Sequence, residues 1–475
     1  MANDEKKETL TDRLCQKSKS IWEDEKLHGA IFDFAKPYSK FLTENKTERE
    51  CTVWAIDELK KAGFVEGVSG NKCFMVNRGK AIIAAIKGKK SIENGFTLVV
   101  AHTDSPRIDL KQNPMYEDTG NAMFDTHYYG GIKKWQWTNI PLAIHGTIIK
   151  KDGTKLDVKW GEDGDTNFGP VLISDILIHL SSDQMTNPAH KIISGENLNA
   201  LAGTMPLVGE DYKDEKDKVK LNILKLLNDK YGITEADFIS AEFELVPAYK
   251  AQDVGMDKSL VMGYGHDDRI CSYTALRALC DLKEQPELTA IVYLVDKEEI
   301  GSEGTTGAKT QFLEHFVSEL AGGKPLWSIM QNSFCMSADV NAAFDVGFKD
   351  RFEAKNASYL GKGITLTKFT GRGGKGGSND ASAEFVGAVR MVLEDECVPF
   401  QTAELGAVDI GGGGTVAMYI AERGIDTIDA GPAVLGMHAP NETISKADLY
   451  GTYLAFVAFL GKFGDKYIKV AKGTH

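Results

Sequence analysis

The chain has 475 residues, of which 42% are hydrophobic and 26% charged, a composition typical of a globular protein with a large core. The formal net charge of −13 argues against nucleic-acid binding through a generally basic surface. No apolar run approaches the ~18–20 residues that cross a bilayer, and the polar N-terminus predicts no secretory signal. Seven cysteines without a C-x-x-C pair indicate free thiols in a reducing, cytoplasmic compartment.

The first part of the chain is predicted to begin with helices and to continue with strands. Residues 1–65 have a helical character, with apolar residues at mixed spacings of three and four over 21–35 and 48–62. Three apolar runs then predict strands over 72–77, 81–86 and 96–102. The last run turns abruptly polar, as a buried central strand does when it ends in a loop.

Residues 109–254 differ from their surroundings. Short β-like pieces alternate there with Gly- and Asp-rich turns, and one helix-like segment covers 219–230. The β-like pieces span 142–149, 155–159 and 240–246. We interpret this part as a β-rich domain inserted into a discontinuous domain formed by residues 1–108 and 255–475.

From residue 255 onward, strands and helices alternate, which favours an α/β sheet with helices on both faces. Strands are predicted over 289–295, 333–339 and 425–430. Helices are predicted over 268–282, 302–319, 377–393, 415–423 and 446–463. Ser445 followed by Asp448 is a capping-box-like start for the last of these helices.

Five short segments place His, Asp or Glu where an apolar run ends or a loop begins. They are AHTDSP (101–106), GHDDR (265–269), VDKEEIGSEG (295–304), MSADVNAA (336–343) and LGMHAP (435–440). Taken singly, each is explained as well by a surface turn, by a helix cap at the paired aspartates or by solvated carboxylates. Because ligands of open α/β sheets gather outside the carboxyl ends of the strands, the five segments are expected to converge on one site.

Together the segments supply imidazoles and carboxylates, a donor set that suits Zn²⁺, with Co²⁺ or Mn²⁺ as substitutes. One aspartate shared between two ions would give each ion a histidine and a further carboxylate, with room for a bridging water. Glu298 is then left beside the metals as an unliganded carboxylate, which is what a general base requires. The spacing of His102 and Asp104 is typical of a metal-bound histidine whose second ring nitrogen is held by a carboxylate.

These segments resemble, in order and over most of the chain, those of the aspartyl aminopeptidase family of dinuclear zinc exopeptidases. The motifs that carry the resemblance are AHTDSP, D-x-E-E-x-G-S-E, SAD and MH. The resemblance implies that His102 and Asp339 hold one metal ion, that Glu299 and His438 hold the other, and that Asp267 bridges the two. It also implies Glu298 as the general base and Asp104 as the residue that orients His102.

The same resemblance implies a three-layer α/β/α peptidase domain interrupted by a β-rich dimerisation domain, assembled into a closed oligomer, typically a tetrahedral dodecamer. The implied reaction removes single N-terminal residues from peptides, with acidic residues preferred. That preference requires a cation, and Lys375 in a Gly-rich loop is favoured over Arg372 and Arg107. The family also supplies a substrate-contacting histidine from a neighbouring subunit, and the segment SDILIHL offers His179 for that role.

Three alternatives stay open from the sequence. Gly371, Gly373 and Gly376 match a G-x-G-x-x-G dinucleotide fingerprint, although no second mononucleotide half is evident and a flexible loop explains them better. A metal-dependent deacylase of N-acyl amino acids would use similar ligands. A non-catalytic binding protein on a peptidase fold is expected to have lost ligand positions, whereas all five are present here together with Glu298.

Overall fold

The computed structural model describes residues 9–15 and 19–474. The predicted helical character of residues 1–8 and 16–18 therefore lies outside the described residues. The α-helices are α1 (Leu10–Leu14), α2 (His28–Glu44), α3 (Glu48–Lys61), α4 (Ser182–Thr186), α5 (Lys218–Tyr231), α6 (His266–Asp281), α7 (Phe312–Ala321), α8 (Leu326–Gln331), α9 (Ala383–Asp395), α10 (Ala417–Ala421), α11 (Lys446–Lys462) and α12 (Asp465–Ala471).

Strands occur throughout the chain and form three sheets. They are β1 (Val65–Glu66), β2 (Lys72–Asn77), β3 (Ala81–Ile86), β4 (Phe96–His102), β5 (Arg107–Asp118), β6 (Asn121–Tyr129), β7 (Leu142–Ile149), β8 (Lys155–Trp160), β9 (Ala200–Gly203), β10 (Ala241–Pro247), β11 (Gln252–Val254), β12 (Leu260–Gly263), β13 (Thr289–Val295), β14 (Phe334–Ser337), β15 (Asn341–Ala342), β16 (Ile364–Thr367), β17 (Phe400–Thr402), β18 (Asp426–Gly431), β19 (Ala433–Leu435) and β20 (Glu442–Ser445).

The largest sheet has nine strands in the order β1-β2-β3-β13-β4-β14-β18-β16-β17. Its centre is parallel, since β4 pairs in parallel with β13 and β14, and β14 pairs in parallel with β18. Along β4, Val99 and Ala101 face one hydrophobic core, whereas Leu98 and Val100 face the other. Burial on both faces explains why these central strands are continuous apolar runs in the sequence.

Helices cover both faces of this sheet. Side chains of α2, α3, α6, α9 and α11 belong to the core on one face, and those of α7, α8 and α10 belong to the core on the other. The predicted three-layer α/β/α architecture is therefore confirmed.

A second, six-stranded sheet is antiparallel, with the order β8-β7-β10-β5-β6-β9. It has its own core around Trp137 and Phe243, against which Leu224 of α5 packs. This β-rich unit, called the insert below, is built from residues 107–247. The domain boundaries at 109 and 254 and a role of the insert in dimerisation remain predictions. A third sheet joins β11, β12, β20, β19 and β15.

Three predicted helices begin later than expected. The segment predicted over 302–319 becomes helical only at Phe312, because Gly301 and Gly304 adopt φ values of +88° and +95° in a Gly-rich turn. The helix predicted over 377–393 begins after Ser382, whose side chain accepts a hydrogen bond from the Phe385 N–H. The helix predicted over 21–35 is preceded by two 3₁₀ turns and occupies His28–Glu44.

Two local motifs have a different structure from the predicted one. Ser445 does cap α11, but the Asp448 carboxylate accepts hydrogen bonds from the N–H groups of Gly361 and Gly363 instead of completing a capping box. Residues 371–377 form a turn closed by paired backbone hydrogen bonds between Arg372 and Gly376, without the helix that a dinucleotide fingerprint requires. Within the described ranges, no helix is both long enough and apolar enough to cross a bilayer.

Candidate metal centre

The central strands deliver three of the predicted ligands and the predicted base to one edge of the nine-stranded sheet. His102 is the last residue of β4, and the neighbouring parallel strand β13 ends at Val295, just before Glu298 and Glu299. On the other side of β4, strand β14 ends two residues before Asp339. Asp267 comes from the first turn of α6, which follows β12. Because parallel strands have their carboxyl ends at the same edge, segments far apart in sequence meet here.

Asp267 lies between the two histidines. Its Oδ1 is 3.2 Å from His102 Nε2, and its Oδ2 is 3.2 Å from His438 Nε2. One carboxylate oxygen thus faces each imidazole, which is the arrangement that a bridging ligand of two ions requires. Local backbone geometry makes this possible, since Asp267 and Asp268 depart from helical φ and ψ at the start of α6.

The remaining predicted ligands complete a group around each histidine. His438 Nε2 is 3.5 Å from Glu299 Oε2, and His102 Nε2 is 3.9 Å from Asp339 Oδ1. Ligand atoms of His102, Glu298 and Glu299 also lie within 4.8 Å of one another. The structure therefore brings together all five predicted metal ligands and the predicted general base.

Asp104 holds this group together through both its backbone and its carboxylate. Its carbonyl oxygen accepts a hydrogen bond from His102 Nδ1 at 2.9 Å, while its Oδ1 is 3.4 Å from the same nitrogen. The carboxylate also accepts hydrogen bonds from the N–H groups of Glu298 and Glu299 at 3.1 and 3.2 Å. Asp104 thus positions both His102 and the loop that carries the two glutamates.

Three residues that support the site were not singled out from the sequence. Glu442 accepts hydrogen bonds from the N–H groups of Asp267 and His438 at 2.9 and 2.7 Å. Tyr129 donates its hydroxyl proton to Asp104 Oδ2 at 2.8 Å. The buried carboxylate of Asp429 lines the cavity above the site. Two of these contacts join distant parts of the sequence, since Glu442 reaches Asp267 across 175 residues and Tyr129 reaches Asp104 across 25 residues.

Asp268 does not act as the expected helix cap. It is fully buried, and its Oδ2 accepts a hydrogen bond from the N–H of His102 at 3.3 Å. It also lies close enough to His102 and Asp339 to offer an oxygen to the same ion. The second aspartate of the G-H-D-D-R segment therefore belongs to the site rather than to the surface of α6.

The electrostatics of the group call for additional positive charge. Burial, together with Asp339, Asp104 and Asp267, raises the pKa of Glu298 to about 8, against the lowering effect of His102. Burial, together with Asp267, likewise raises the pKa of Asp339 to about 7. Both shifts describe carboxylates that repel one another where little water can screen them.

The donor set fits divalent metal ions. Glu299 Oε1 is buried without a hydrogen-bond partner. Asp267 Oδ1 completes no hydrogen bond, although His102 Nε2 lies 3.2 Å away. Ligand atoms that face each other in this way suit a shared cation, and imidazole nitrogens with carboxylate oxygens are ordinary Zn²⁺ ligands.

A cavity of about 250 Å³ opens above this group. Beyond the site residues, its lining includes Asn341, Thr370, Thr415 and the backbone of residues 412–414. Gly412 has a φ of +106°, and a Cβ there would lie 2.7 Å from the carbonyl oxygen of Gly371. The glycines therefore allow the 371–377 turn and the 411–414 loop to pack closely at the rim of the cavity.

The predicted substrate-binding residues lie outside this lining. Lys375 lines a neighbouring cavity, where its Nζ is 3.2 Å from Asp380 Oδ2 and 3.9 Å from the centroid of the Phe369 ring. Arg372 is exposed on the same turn. Arg107 is buried and pairs with Asp109 at 2.8 Å, so it is not available to a substrate.

His179 is exposed in a 3₁₀ turn of the insert. The apolar side chains around it are also exposed, with 55% of Leu177, 66% of Ile178 and 68% of Leu180 accessible. Within a single chain, His179 is therefore not part of the metal centre, and a role in a neighbouring subunit's site remains a prediction.

The sequence profile of the aminopeptidase I zinc metalloprotease family, M18, matches residues 41–460. The chain belongs to the M18 aminopeptidase family. A relative from Clostridium acetobutylicum, described as a probable M18 family aminopeptidase 1, is 48% identical over 95% of this chain and 100% of its own length. The crystal structure of an M18 aminopeptidase from Thermotoga maritima is 45% identical, with a TM-score of 0.89 over 94% of this chain and all of that one.

The fold likeness extends to more distant structures. The Saccharomyces cerevisiae mApe1 dodecamer is 22% identical, with a TM-score of 0.73 over 94% of this chain and 99% of that one. The aspartyl aminopeptidase family is M18, so the resemblance seen in the motifs is confirmed. As an M18 member, the protein is a zinc metallo-exopeptidase of the aminopeptidase class. Membership favours this activity over a deacylase or a non-catalytic binding protein.

Proposed function

We propose that this M18 aminopeptidase works with two divalent ions, most simply Zn²⁺, and with Glu298 as its general base. The observation that carries the proposal is the position of Asp267, with one oxygen 3.2 Å from each of His102 Nε2 and His438 Nε2. Asp339 completes the group around His102, and Glu299 completes the group around His438. Co²⁺ or Mn²⁺ would be accepted by the same donors.

When bound, the ions would supply Lewis-acid polarisation of the scissile carbonyl and would acidify water. Glu298 is half-buried and lines the cavity, next to the predicted ligands, where water and the scissile bond must meet. Its carboxylate would take a proton from the attacking water and deliver it to the amine that leaves. Asp104 holds the Glu298 backbone in place during these transfers.

The test uses aspartyl, glutamyl, leucyl and alanyl reporter substrates, assayed with a chelator and after addition of Zn²⁺, Co²⁺ or Mn²⁺. Hydrolysis that needs a metal is expected. Glu298→Gln keeps the size of the side chain, so it should retain both ions and lose ~10²–10⁴-fold in kcat. The matched control is Glu303→Gln on the exposed part of the same loop. Near-normal turnover in the metal-loaded Glu298→Gln variant would refute the assigned base.

We propose acidic N-terminal residues as the preferred substrates, with Lys375 as the cation that recognises them. Among the described residues, no lysine or arginine lines the cavity at the metal centre. Lys375 lies in the adjoining cavity, and Thr370 and Leu405 line both. To contact a substrate, Lys375 would exchange Asp380 for the substrate carboxylate, and both Lys375 and Asp380 are exposed.

Lys375→Ala should then lower kcat/KM about tenfold for aspartyl and glutamyl substrates, since a hydrogen bond to a charged group contributes ~1.5–3 kcal/mol. Leucyl and alanyl substrates should be unaffected. Lys355→Ala is the control, because Lys355 is an exposed lysine outside both cavities. An equal effect on all four substrates, or a preference for leucine in the parent enzyme, would exclude the acidic pocket while leaving the peptidase function intact.

We also propose a cytoplasmic homo-oligomer, in the closed tetrahedral dodecamer form, with the insert at the dimer contact and His179 directed toward a neighbouring site. The exposed apolar side chains beside His179 favour burial in an interface between subunits, and the mApe1 relative is a dodecamer. All seven cysteines are unpaired, as expected in a reducing compartment. Light scattering of active protein should give a mass many times 52.0 kDa, and a fully active monomer would refute the assembly.

A further inference from the structure

A turn at the end of β6 brings the insert to the metal centre. Tyr129, the last residue of that strand, donates its hydroxyl proton to Asp104 Oδ2 at 2.8 Å. Two residues later, the carbonyl oxygen of Gly131 accepts a hydrogen bond from His438 Nδ1 at 2.8 Å. One three-residue stretch of the insert therefore contacts His438 directly and contacts Asp104, which in turn holds His102.

On the first side, Tyr129 acts through Asp104. The Asp104 carboxylate is buried, and besides the tyrosine hydroxyl it receives the N–H groups of Glu298 and Glu299 and the approach of His102 Nδ1. Removing the hydroxyl would leave this buried carboxylate short of one donor. The carbonyl of the same residue holds the His102 ring, so a shift of Asp104 moves that ring.

On the second side, the turn acts directly on His438. A carbonyl oxygen can only accept, so His438 Nδ1 must carry a proton, and the lone pair of Nε2 then faces Asp267 and Glu299. The carbonyl of Asp104 imposes the same tautomer on His102. Both imidazoles are thereby presented to a metal through Nε2.

The turn has little freedom to move. The guanidinium of Arg107 stacks over the Tyr129 ring at 3.9 Å, and Tyr129 is only 9% exposed. Gly130 has a φ of +73°, and a Cβ there would lie 3.3 Å from Glu299 Cβ and 3.4 Å from Glu299 Oε2. The backbone of the insert is thus packed directly against a predicted metal ligand.

We propose that Tyr129 and the Gly130-Gly131 backbone are positioning elements of the metal centre, through which the placement of the insert sets the affinity of the site for zinc. This inference rests on the proposed function only in taking His102, Glu299 and His438 as metal ligands. Hydrogen bonds behind metal-bound histidines fix the tautomer and the ring orientation, and losing one weakens metal binding 10–100-fold.

The first test is Tyr129→Phe in the full-length chain, with zinc affinity measured by competition against a chelating dye in the absence of substrate. We expect affinity to fall ~10–100-fold, with KM at saturating zinc unchanged. Tyr128→Phe is the matched control, because Tyr128 is the adjacent residue of the same strand and is 41% exposed. The urea midpoint of unfolding is measured for both variants.

The second test is Gly130→Ala, compared with Gly120→Ala. Both glycines have a positive φ, +73° and +77°, but a Cβ at Gly120 meets no atom within 4 Å, whereas one at Gly130 meets Glu299. Backbone strain is therefore matched, and only Gly130→Ala should weaken zinc binding. Unchanged affinity in both Tyr129→Phe and Gly130→Ala, or a loss fully matched by the controls, overturns the inference and leaves the proposed function standing. A parent protein that binds no zinc overturns both.

Discussion

His145 provides a sharp test of how the insert is joined to the nine-stranded sheet. It lies on β7 with 1% exposure, between two carboxylates, with Nδ1 2.9 Å from Glu50 Oε1 and Nε2 2.7 Å from Glu162 Oε1. Glu50 belongs to α3, which packs on the nine-stranded sheet, so the contact connects the two units. The perturbation is His145→Gln, which keeps most of the volume and removes the charge.

The charge state of this group follows from its neighbours. Burial lowers the pKa of His145, but Glu50 and Glu162 outweigh burial and raise it above its ordinary value. Burial raises the pKa of Glu50, but His145 and Lys159 lower it to about 2. The raised pKa favours the protonated imidazole, whose Nδ1 is hydrogen-bonded to Glu50 and whose Nε2 lies 2.7 Å from Glu162 Oε1.

His145→Gln is expected to lower the free energy of unfolding by about 3 kcal/mol, the lower end of the range for breaking a buried ion pair. It lies at the lower end because each carboxylate keeps a lysine. Glu50 Oε1 is 3.0 Å from Lys159 Nζ, and Glu162 Oε1 is 2.7 Å from Lys46 Nζ. Glutamine can also donate to one of the two carboxylates.

The difference in the free energy of unfolding between the parent and His145→Gln should depend on pH. The folded pKa of His145 lies above the unfolded value of about 6.5, so its stabilisation is fully present below that pH and is lost as pH rises through the folded pKa. The pKa values of Glu50 and Glu162 are lowered, so their contribution is present above about pH 4.3 and is lost in acid. The gap should therefore be largest between about pH 5 and 6.5.

The assay is urea unfolding followed by intrinsic fluorescence at pH 5.5, 7 and 9. His190→Gln is the control, because His190 is an exposed histidine of the same insert. A gap below about 0.5 kcal/mol, or a gap of the same size at pH 5.5 and 9, would refute the reasoning, since a purely steric effect of the substitution does not titrate.

Two further predictions concern the metals and the assembly. Asp267→Asn removes the charge of the bridge, so the number of ions per chain should fall from two to one or fewer, as measured by elemental analysis of protein purified without chelator. A tight stoichiometry of one in the parent, unchanged in the variant, would contradict the bridge. Replacing Ile178 and Leu180 together by Asp places charge in the exposed apolar segment of the insert, so light scattering should show a smaller assembly. Met256→Asp, at another exposed apolar side chain, is the control, and an unchanged mass in the double variant would exclude this segment as an interface.

Much of the catalytic architecture can be predicted from the sequence alone. Strands β2, β3, β4 and β7 have the predicted bounds, because continuous or regularly patterned apolar residues must be buried and the chain turns polar where burial ends. The same rule placed the candidate ligands, since a polar residue directly after a buried parallel strand stands at the ligand-binding edge of the sheet. The motifs around His102, Glu299, Asp339 and His438 carry the resemblance to the family to which the chain belongs.

Other features depend on contacts that no local pattern records. Glu442 supports Asp267 across 175 residues, and the carbonyl of Gly131 meets His438 across 307 residues. The sequence around Lys375 predicts a substrate-binding cation and leaves Asp268 as a candidate helix cap, whereas the folded chain pairs Lys375 with Asp380 and buries Asp268 next to His102. Periodicity in a sequence reports whether a side chain is buried, but the partner that a buried polar group finds is decided only when distant strands and helices are packed together.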